Sequence, residues 1–291
     1  MRLNTIFASF LFTAAVMCGI FFSLSRHDFT TPDSHTEQLL RKRGPDSLGI
    51  NRVVVPANPS TPEAPSSDLQ ATFIATVLSL RGTSLTKQPL RDEDTGSILC
   101  WNGEAWSITN QPVSGSDSRA VFDALIAPLP EDISVSETSA IEHAVQVFSS
   151  IRGPYAFVFY DARNQLVFYG RDCLGRRSLL NKIDDAFVLS SVCDNTTGDN
   201  WTEVEADGIY VLDLKRTPTS SLPVTTHIPH RRRRDDSLGG LHFVGKSQTQ
   251  RSPLNWSGHS VPDDEPFHRR EFFNPTHGHY CQNWSLPTQL T

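Results

Sequence analysis

The chain has 291 residues, of which 38% are hydrophobic and 20% are charged, and its formal net charge at pH 7 is −6. This length allows one or two folded domains, and the composition is that of a globular protein with some disordered sequence attached. The modest negative charge excludes nucleic acid and other polyanions as general partners. The five cysteines are odd in number and widely spaced, which argues against a disulfide framework and favours a reducing compartment, the cytoplasm. They form no Cys-x-x-Cys pair, which argues against a structural zinc site.

The first 25 residues allow two interpretations. Ile6–Leu24 is uncharged and nearly all apolar or small, which makes it long enough to span a bilayer as a signal-anchor helix. Alternatively, residues 1–16 are an upstream extension from a mis-assigned start, and Met17 is the working start. Cys18 would then lie at the amino terminus, on the edge of a strand. Hydropathy does not separate these interpretations, but only the second predicts partners for Cys18 further along the chain.

The next stretch is read as loops around a short helix. Thr31–Gln38 is polar, and Glu37–Arg43 predicts one or two helical turns that Gly44-Pro45 ends. This turn sequence places Arg43 at the lip of a loop. Val53–Asp68 is rich in Pro and Ser and predicts a flexible surface insertion.

Two strands and two helices follow. Ala71–Leu80 is β-branched and alternates in polarity, so it predicts a strand, and Ser97–Trp101 predicts another that ends in a turn at Asn102–Glu104. Residues 116–127 begin with good N-cap residues and have helical spacing of apolar side chains. Residues 136–153 predict a second helix with one apolar face and a glycine after its end.

The clearest local pattern is a hairpin. Residues 154–162 and 165–172 are two β-rich runs around Arg163-Asn164, and residues 186–192 and 207–214 add two more strands. Strands joined by short turns, with helices between them, predict an α+β fold with antiparallel sheets and helices packed on their faces. Beyond Leu214 the sequence loses periodicity, so residues 215–291 are predicted to be mostly disordered.

Four motifs occur in a specific order: MCGIFF from residue 17, RGPDS from residue 43, WNGE from residue 101, and the run GPYAFVFYDARNQLVFYGRDCLGRRSLL from residue 153. Together they resemble the class II (N-terminal nucleophile) glutamine amidotransferase domain of asparagine synthetases. The GRDCLGRRSLL segment is most similar to the version in asparagine synthetase domain-containing proteins. The resemblance covers roughly residues 17–214 and implies a four-layer αββα sandwich of two antiparallel sheets flanked by helices.

The resemblance also implies a reaction, the hydrolysis of the side-chain amide of glutamine to glutamate and ammonia. Cys18 would supply the thiolate, and its own α-amino group, which titrates near pH ~8, would be the base. This requires Cys18 to be the first residue of the mature chain. Asn102 and Gly103 would form the oxyanion hole. Arg43 would bind the substrate carboxylate, and Asp117 would pair with the substrate ammonium.

Each of these assignments has a structural alternative. Cys18 could be an inert thiol in a membrane helix or a core. Asn102-Gly103 could be a hairpin turn, Arg43 a solvated surface charge, and Asp117 only the N-cap of the helix that follows it. Because these residues occur together in the four motifs, the functional interpretation is favoured for Cys18, Asn102-Gly103 and Arg43. For Asp117 the functional and structural interpretations are equally supported.

Two other clusters are interpreted as structural or incidental. In the GRDCLGRR segment, Arg171 and Arg176 are predicted to fix a loop through hydrogen bonds, and Cys173 is not predicted to be catalytic. His277, His279 and Cys281 mimic metal ligands, but no fourth ligand stands nearby, so no metal site is predicted.

The sequence departs from full asparagine synthetases in its last third. Those enzymes carry a second domain whose S-G-G-x-D-S loop cradles pyrophosphate, and no such loop occurs here. We therefore expect L-glutamine as substrate and no cofactor in this chain, because ATP and Mg²⁺ would belong to the missing domain. Either a separate synthetase domain or subunit accepts the ammonia, or the sequence comes from a truncated or mis-spliced gene whose tail is not native, and the second explanation is favoured. The alternative is an inactive, membrane-anchored protein that keeps the fold.

Overall fold

The computed structural model describes residues 17–56, 68–80, 84–128, 137–193, 201–215 and 225–230. It contains three α-helices in these ranges, α1 (Ser34–Arg43), α2 (Asp117–Ile126) and α3 (Glu137–Ser150). The strands, in chain order, are β1 (Gly19–Ser25), β2 (Ser47–Val55), β3 (Leu69–Val77), β4 (Leu90–Arg91), β5 (Ile98–Gly103), β6 (Ser107–Ile108), β7 (Gln111–Pro112), β8 (Tyr155–Asp161), β9 (Leu166–Arg171), β10 (Leu180–Ile183), β11 (Ala186–Ser190), β12 (Thr202–Glu203), β13 (Gly208–Asp213) and β14 (Thr225–Pro229).

Twelve of these strands form two six-stranded sheets. Sheet A has the order β12-β10-β11-β1-β3-β2, and sheet B has the order β14-β13-β9-β8-β5-β4. All the strand pairs within both sheets are antiparallel. Strands β6 and β7 form a separate small ribbon. The prediction of antiparallel sheets is confirmed.

The two sheets pack face to face around the main core. Phe22 and Phe73 of sheet A share one buried cluster with Val158 and Tyr169 of sheet B. A second cluster joins the outer face of sheet B to α2 and α3, where the rings of Phe148 and Phe157 stack. A third, smaller cluster joins α1 to the outer face of sheet A. The layers are therefore helix, sheet, sheet, helices, and the predicted αββα arrangement is confirmed.

Strand β1 has a different position from the one predicted. Gly19–Ser25 is buried throughout and lies between β3 and β11, with Phe22 opposite both Phe73 and Leu189. The predicted strand edge is thus a central strand, and Ile6–Leu24 cannot be one continuous anchor helix in this fold. Among the helices in the described ranges, none is long and apolar enough to cross a membrane. Residues 1–16 lie outside the description.

The observed bounds of α1 and β2 differ from the predicted ones for local reasons. Helix α1 begins at Ser34 rather than Glu37, because the carboxylate of Asp33 accepts hydrogen bonds from the amides of His35 and Thr36 at 2.8 and 2.9 Å and caps the helix. The Pro- and Ser-rich stretch from Val53 is not all insertion, since its first three residues end β2. The core of that stretch, residues 57–67, lies outside the described residues.

The helix and hairpin predictions hold where the pattern is local. Helices α2 and α3 and the β8–β9 hairpin lie where they were predicted. The predicted turn at Asn102–Glu104 is wrong for its first two residues, because β5 continues to Gly103 in register with β8. Strand β14 pairs with β13 beyond the domain boundary predicted at residue 214. Residues 231–291 lie outside the described residues, so neither their predicted disorder nor the cluster of His277, His279 and Cys281 is tested.

Candidate active site

Four of the five predicted site residues line one cleft. Cys18 lies directly before β1, Asn102 and Gly103 end β5, and Asp117 begins α2, and all four line this cleft. Its remaining described lining is Met17, Val77, Leu78, Ser79, Leu80, Thr86, Gln88, Trp101, Glu104, Ser116, Ser118 and Arg177. The cleft is therefore built from the ends of strands in both sheets, a position where side chains from distant parts of the chain meet.

The thiol of Cys18 lies against the end of β3. Its sulfur accepts a hydrogen bond from the Leu78 amide at 3.5 Å. Burial raises the pKa of this thiol above the ordinary value for cysteine, and the Asp117 carboxylate adds to that effect. The Leu78 amide and the guanidinium groups of Arg43 and Arg177 lower the pKa, but they offset the burial only in part. With Met17 still attached, the net effect is a Cys18 thiol whose pKa is raised.

Asn102 presents an unused donor. Its side chain is buried, with 1% of the residue exposed, and its Nδ2 atom has no hydrogen-bond partner. A buried amide N–H without an acceptor costs about 1–3 kcal/mol, so such groups usually mark a site that a ligand or water completes.

The amide of Gly103 points into the same cleft. Along β5 and the residues after it, the amides of Trp101 and Ala105 donate to Gln88 Oε1 at 2.7 Å and to Asp117 Oδ2 at 2.9 Å, both on the side away from β8. Alternate amides of an extended chain point to the same side. The Gly103 amide therefore lies between these two donors, on the side of β5 away from β8, and Gly103 lines the cleft. The hairpin-turn interpretation of Asn102-Gly103 is wrong, since both residues belong to β5.

Asp117 is not the helix cap that the alternative interpretation proposed. Ser116 is the N-cap of α2, and its hydroxyl accepts the hydrogen bond from the Arg119 amide. Asp117 instead ties α2 to β5, because Oδ2 accepts hydrogen bonds from the Trp101 indole at 3.1 Å and the Ala105 amide at 2.9 Å. The carboxylate is thereby held at the wall of the cleft.

Arg43 lies behind Cys18 rather than in the cleft. Its Nε donates to the Cys18 carbonyl at 3.2 Å, and its Nη1 donates to the Ser178 hydroxyl at 3.1 Å and to the Ser191 carbonyl at 3.5 Å. Burial lowers the pKa of this guanidinium to about 10, so it stays charged at neutral pH. The residue is not the solvated surface charge of the alternative interpretation. Its contacts are those of a group that fixes the position of Cys18.

Two charged residues of the cleft were missed by the sequence analysis. Glu104 and Arg177 face each other, with 3.3 Å between Oε1 and Nη2, and Arg177 Nη1 lies 3.0 Å from the sulfur of Met17. Glu104 was visible as the last letter of WNGE. Arg177 was visible in GRDCLGRRSLL, but the sequence offered no reason to separate it from Arg176.

The GRDCLGRR segment forms the scaffold that carries Arg177. The buried carboxylate of Asp172 accepts hydrogen bonds from the amides of Tyr155, Leu174 and Arg176 and from Arg176 Nε. Arg171 donates to the carbonyl of Arg177 at 2.7 Å. The predicted loop-fixing roles of Arg171 and Arg176 are confirmed. Within the described ranges, no group of three or more His, Cys, Asp or Glu side chains is arranged to hold a metal ion.

Comparisons with known proteins agree with the resemblance read from the motifs. Residues 76–196 match the family described as a glutamine amidotransferase domain, and this range contains Asn102, Gly103, Asp117 and Arg177. Human asparagine synthetase domain-containing protein 1 is 33% identical over 214 residues, which are 70% of this chain and 29% of that protein. The chicken protein of the same name is 36% identical over 221 residues, 72% of this chain and 31% of that protein.

The chain thus spans about a third or less of the length of these relatives. Among solved structures, the glutamine phosphoribosylpyrophosphate amidotransferase from B. subtilis aligns with a TM-score of 0.48 and 17% identity, over 72% of this chain and 49% of that chain. The family match and the relatives together confirm the prediction made from the motifs. This chain carries a glutamine amidotransferase domain related to that of the asparagine synthetase domain-containing proteins.

Proposed function

We propose that this domain hydrolyses the side-chain amide of L-glutamine to glutamate and ammonia, with Cys18 as the nucleophile. One observation supports this most strongly. An orphaned buried amide on Asn102 and the inward-facing amide of Gly103 lie in one cleft with the Cys18 thiol. Two convergent donors beside a thiol are what an acyl-transfer site needs, because they stabilise the oxyanion that forms when the thiolate attacks an amide carbon.

The reaction is proposed to begin with proton transfer from the Cys18 thiol to the α-amino group of the same residue. The sulfur attacks the amide carbon, and Asn102 Nδ2 and the Gly103 amide hold the resulting oxyanion. The C–N bond breaks as the α-ammonium returns the proton to the nitrogen, which leaves as ammonia. Water then hydrolyses the thioester to release glutamate and the free thiol.

This mechanism requires that Cys18 become the first residue of the chain. An amide nitrogen is not a base, so a chain that keeps Met17 has no proton acceptor at this position. A retained Met17 also occupies the cleft beside Arg177. The alternative proposal, a domain that keeps the fold without activity, is supported by the Met17 residue that precedes Cys18 and occupies the cleft.

The role of the whole protein is also a proposal. We infer that the ammonia is passed to a synthetase domain or subunit in asparagine biosynthesis, in the cytoplasm. That partner would bind ATP and Mg²⁺, and the glutaminase step itself needs neither. Asp117 is proposed to bind the ammonium group of glutamine, because its carboxylate is fixed at the wall of the cleft.

The test combines two measurements on the purified protein. The mass of its amino-terminal peptide reports whether the chain begins at Cys18, and release of glutamate and ammonia from glutamine reports activity. A glutamine analogue bearing a diazoketone is expected to label Cys18 of the active form. Cys18→Ala is expected to abolish both labelling and activity, whereas Cys173→Ala, which removes an exposed thiol, is the control and changes neither. Labelling that survives Cys18→Ala would contradict the proposal.

A further inference from the structure

The described wall of the cleft contains one cation, and it is Arg177 rather than Arg43. Glutamine carries an α-carboxylate and an α-ammonium besides the amide that reacts, so its binding site needs charges of both signs. Glu104 and Asp117 supply negative charge in the cleft, and Arg177 is the only Lys or Arg among its described lining residues. Arg43, assigned to the carboxylate from the sequence, lies outside this lining. Its Nε and Nη1 are engaged with backbone carbonyls and Ser178, and its Nη2 is buried without a partner.

Arg177 also has unused hydrogen-bonding capacity. Its side chain is 18% exposed, and its Nε is buried without a hydrogen-bond partner. Its Nη1 faces the thioether of Met17, a weak acceptor that leaves the cleft if the chain is trimmed to Cys18. Only Nη2 has a strong partner, Glu104. Such an incompletely satisfied guanidinium is completed best by a carboxylate.

The backbone around Arg177 keeps the group in place. Arg171 donates to the Arg177 carbonyl, and the same loop is closed by the buried carboxylate of Asp172. A binding group on a fixed loop loses less conformational entropy when the ligand arrives.

We propose that Arg177 binds the α-carboxylate of glutamine and that Arg43 is a positioning residue that holds the Cys18 carbonyl. This inference rests on the proposed function, since it names the specificity group of the same site. It predicts a clean separation of roles. Loss of Arg177 removes the preference for a ligand with a carboxylate, whereas a change at Arg43 disturbs the nucleophile itself.

The experiment measures how well two ligands protect Cys18 from alkylation by iodoacetamide, in protein that begins at Cys18 and continues to Thr291. L-glutamine and L-glutaminamide differ only in that the α-carboxylate becomes a neutral amide. For the unmodified protein we expect half-protection by glutamine at a concentration about tenfold or more below that of glutaminamide, the size expected for a hydrogen bond to a charged group. In Arg177→Gln this ratio is expected to fall to about one to threefold.

Three further variants complete the design. Arg177→Lys keeps the charge and is expected to keep part of the preference. Arg43→Lys is expected to change the basal alkylation rate of Cys18 and to leave the preference in place. Arg41→Gln, on the exposed face of α1, is the control and changes neither quantity.

The outcomes separate the two proposals. If neither ligand protects Cys18 in the unmodified protein, the proposed function is wrong and this inference fails with it. If glutamine protects and Arg177→Gln keeps the tenfold preference, the inference alone is wrong. If the preference for glutamine over glutaminamide disappears in Arg43→Lys but not in Arg177→Gln, Arg43 is the residue that binds the carboxylate.

Discussion

Asn102 is the residue whose role can be tested with least disturbance of the fold. Replacing it with Ala removes one donor from the proposed oxyanion hole and also removes a buried polar group that has no partner. We therefore expect kcat for glutamine hydrolysis to fall about 10²–10³-fold, while the free energy of unfolding changes little. Steady-state kinetics and chemical denaturation measure the two quantities. Asn51→Ala, in β2, is the control, and equal losses of activity in both variants would contradict the assignment.

Cys18 provides a pH-dependent signal at the same scale. Because burial raises the pKa of its thiol, the reactive thiolate appears only at higher pH than in an unfolded chain. The alkylation rate of Cys18 in the chain that keeps Met17 is therefore expected to rise with pH and to reach its midpoint above that of the same thiol in denaturant. Mass spectrometry of the Cys18 peptide follows this rate. A midpoint at or below the value in denaturant would contradict the burial.

The sequence could suggest candidates for the reactive groups but not every group around them. Cys18, Asn102 and Gly103 belong to short motifs whose chemistry is recognisable, and they line one cleft. The position of Arg43 behind Cys18, rather than in front of it, depends on how α1 packs against sheet A. Arg177 depends on a loop whose shape is set by Asp172, which no local pattern reveals.

At the scale of elements, helix α1 connects its N-cap residue at the surface, Asp33, to the candidate active site at Cys18. Asp33 caps its first turn, and Arg43 at its last residue holds the Cys18 carbonyl. Asp33→Ala is expected to lower the free energy of unfolding by about 1 kcal/mol, whereas Asp33→Asn keeps a capping oxygen and is nearly neutral. Denaturation curves of both variants test this, and equal effects would exclude the cap.

The same cap has a defined pH dependence. Burial alone would raise the pKa of Asp33, but the hydrogen bonds from Thr36 and His35 outweigh it and hold the pKa below the ordinary value. The stabilising contribution is therefore complete above the ordinary Asp pKa of ~4 and is lost as pH falls through the lower, folded value. The deficit of Asp33→Ala is expected to shrink over that acidic window.

Elements differ in how far they could be predicted. The β8–β9 hairpin and helices α2 and α3 were found because their signals are local, a tight turn in one case and helical spacing with an N-cap in the others. β1 was ambiguous because it is buried on both faces, so its sequence is a continuous apolar run instead of an alternation. β14 was missed because the exposed edge of a sheet carries no apolar pattern.

For the whole molecule, the test is whether the start of the described chain belongs to the core. The amides of Gly19–Ser25 lie between two neighbouring strands in the middle of sheet A. Native-state hydrogen exchange is therefore expected to be as slow in β1 as in β3, and faster in β14 at the edge of sheet B. Rapid exchange throughout β1 would contradict the fold described here.

The placement of β1 also sets an order of events during synthesis. Phe21 pairs with Ile74 on one side and with Ser190 on the other, so its strand cannot be completed until most of the domain has left the ribosome. At translation rates of about 5–20 residues per second, that interval is roughly 10–40 s. In a chain whose translation starts at Met17, as the proposed function requires, an aminopeptidase acting on the nascent chain would reach the Met17–Cys18 bond while it is still unpaired, before folding encloses the new terminus.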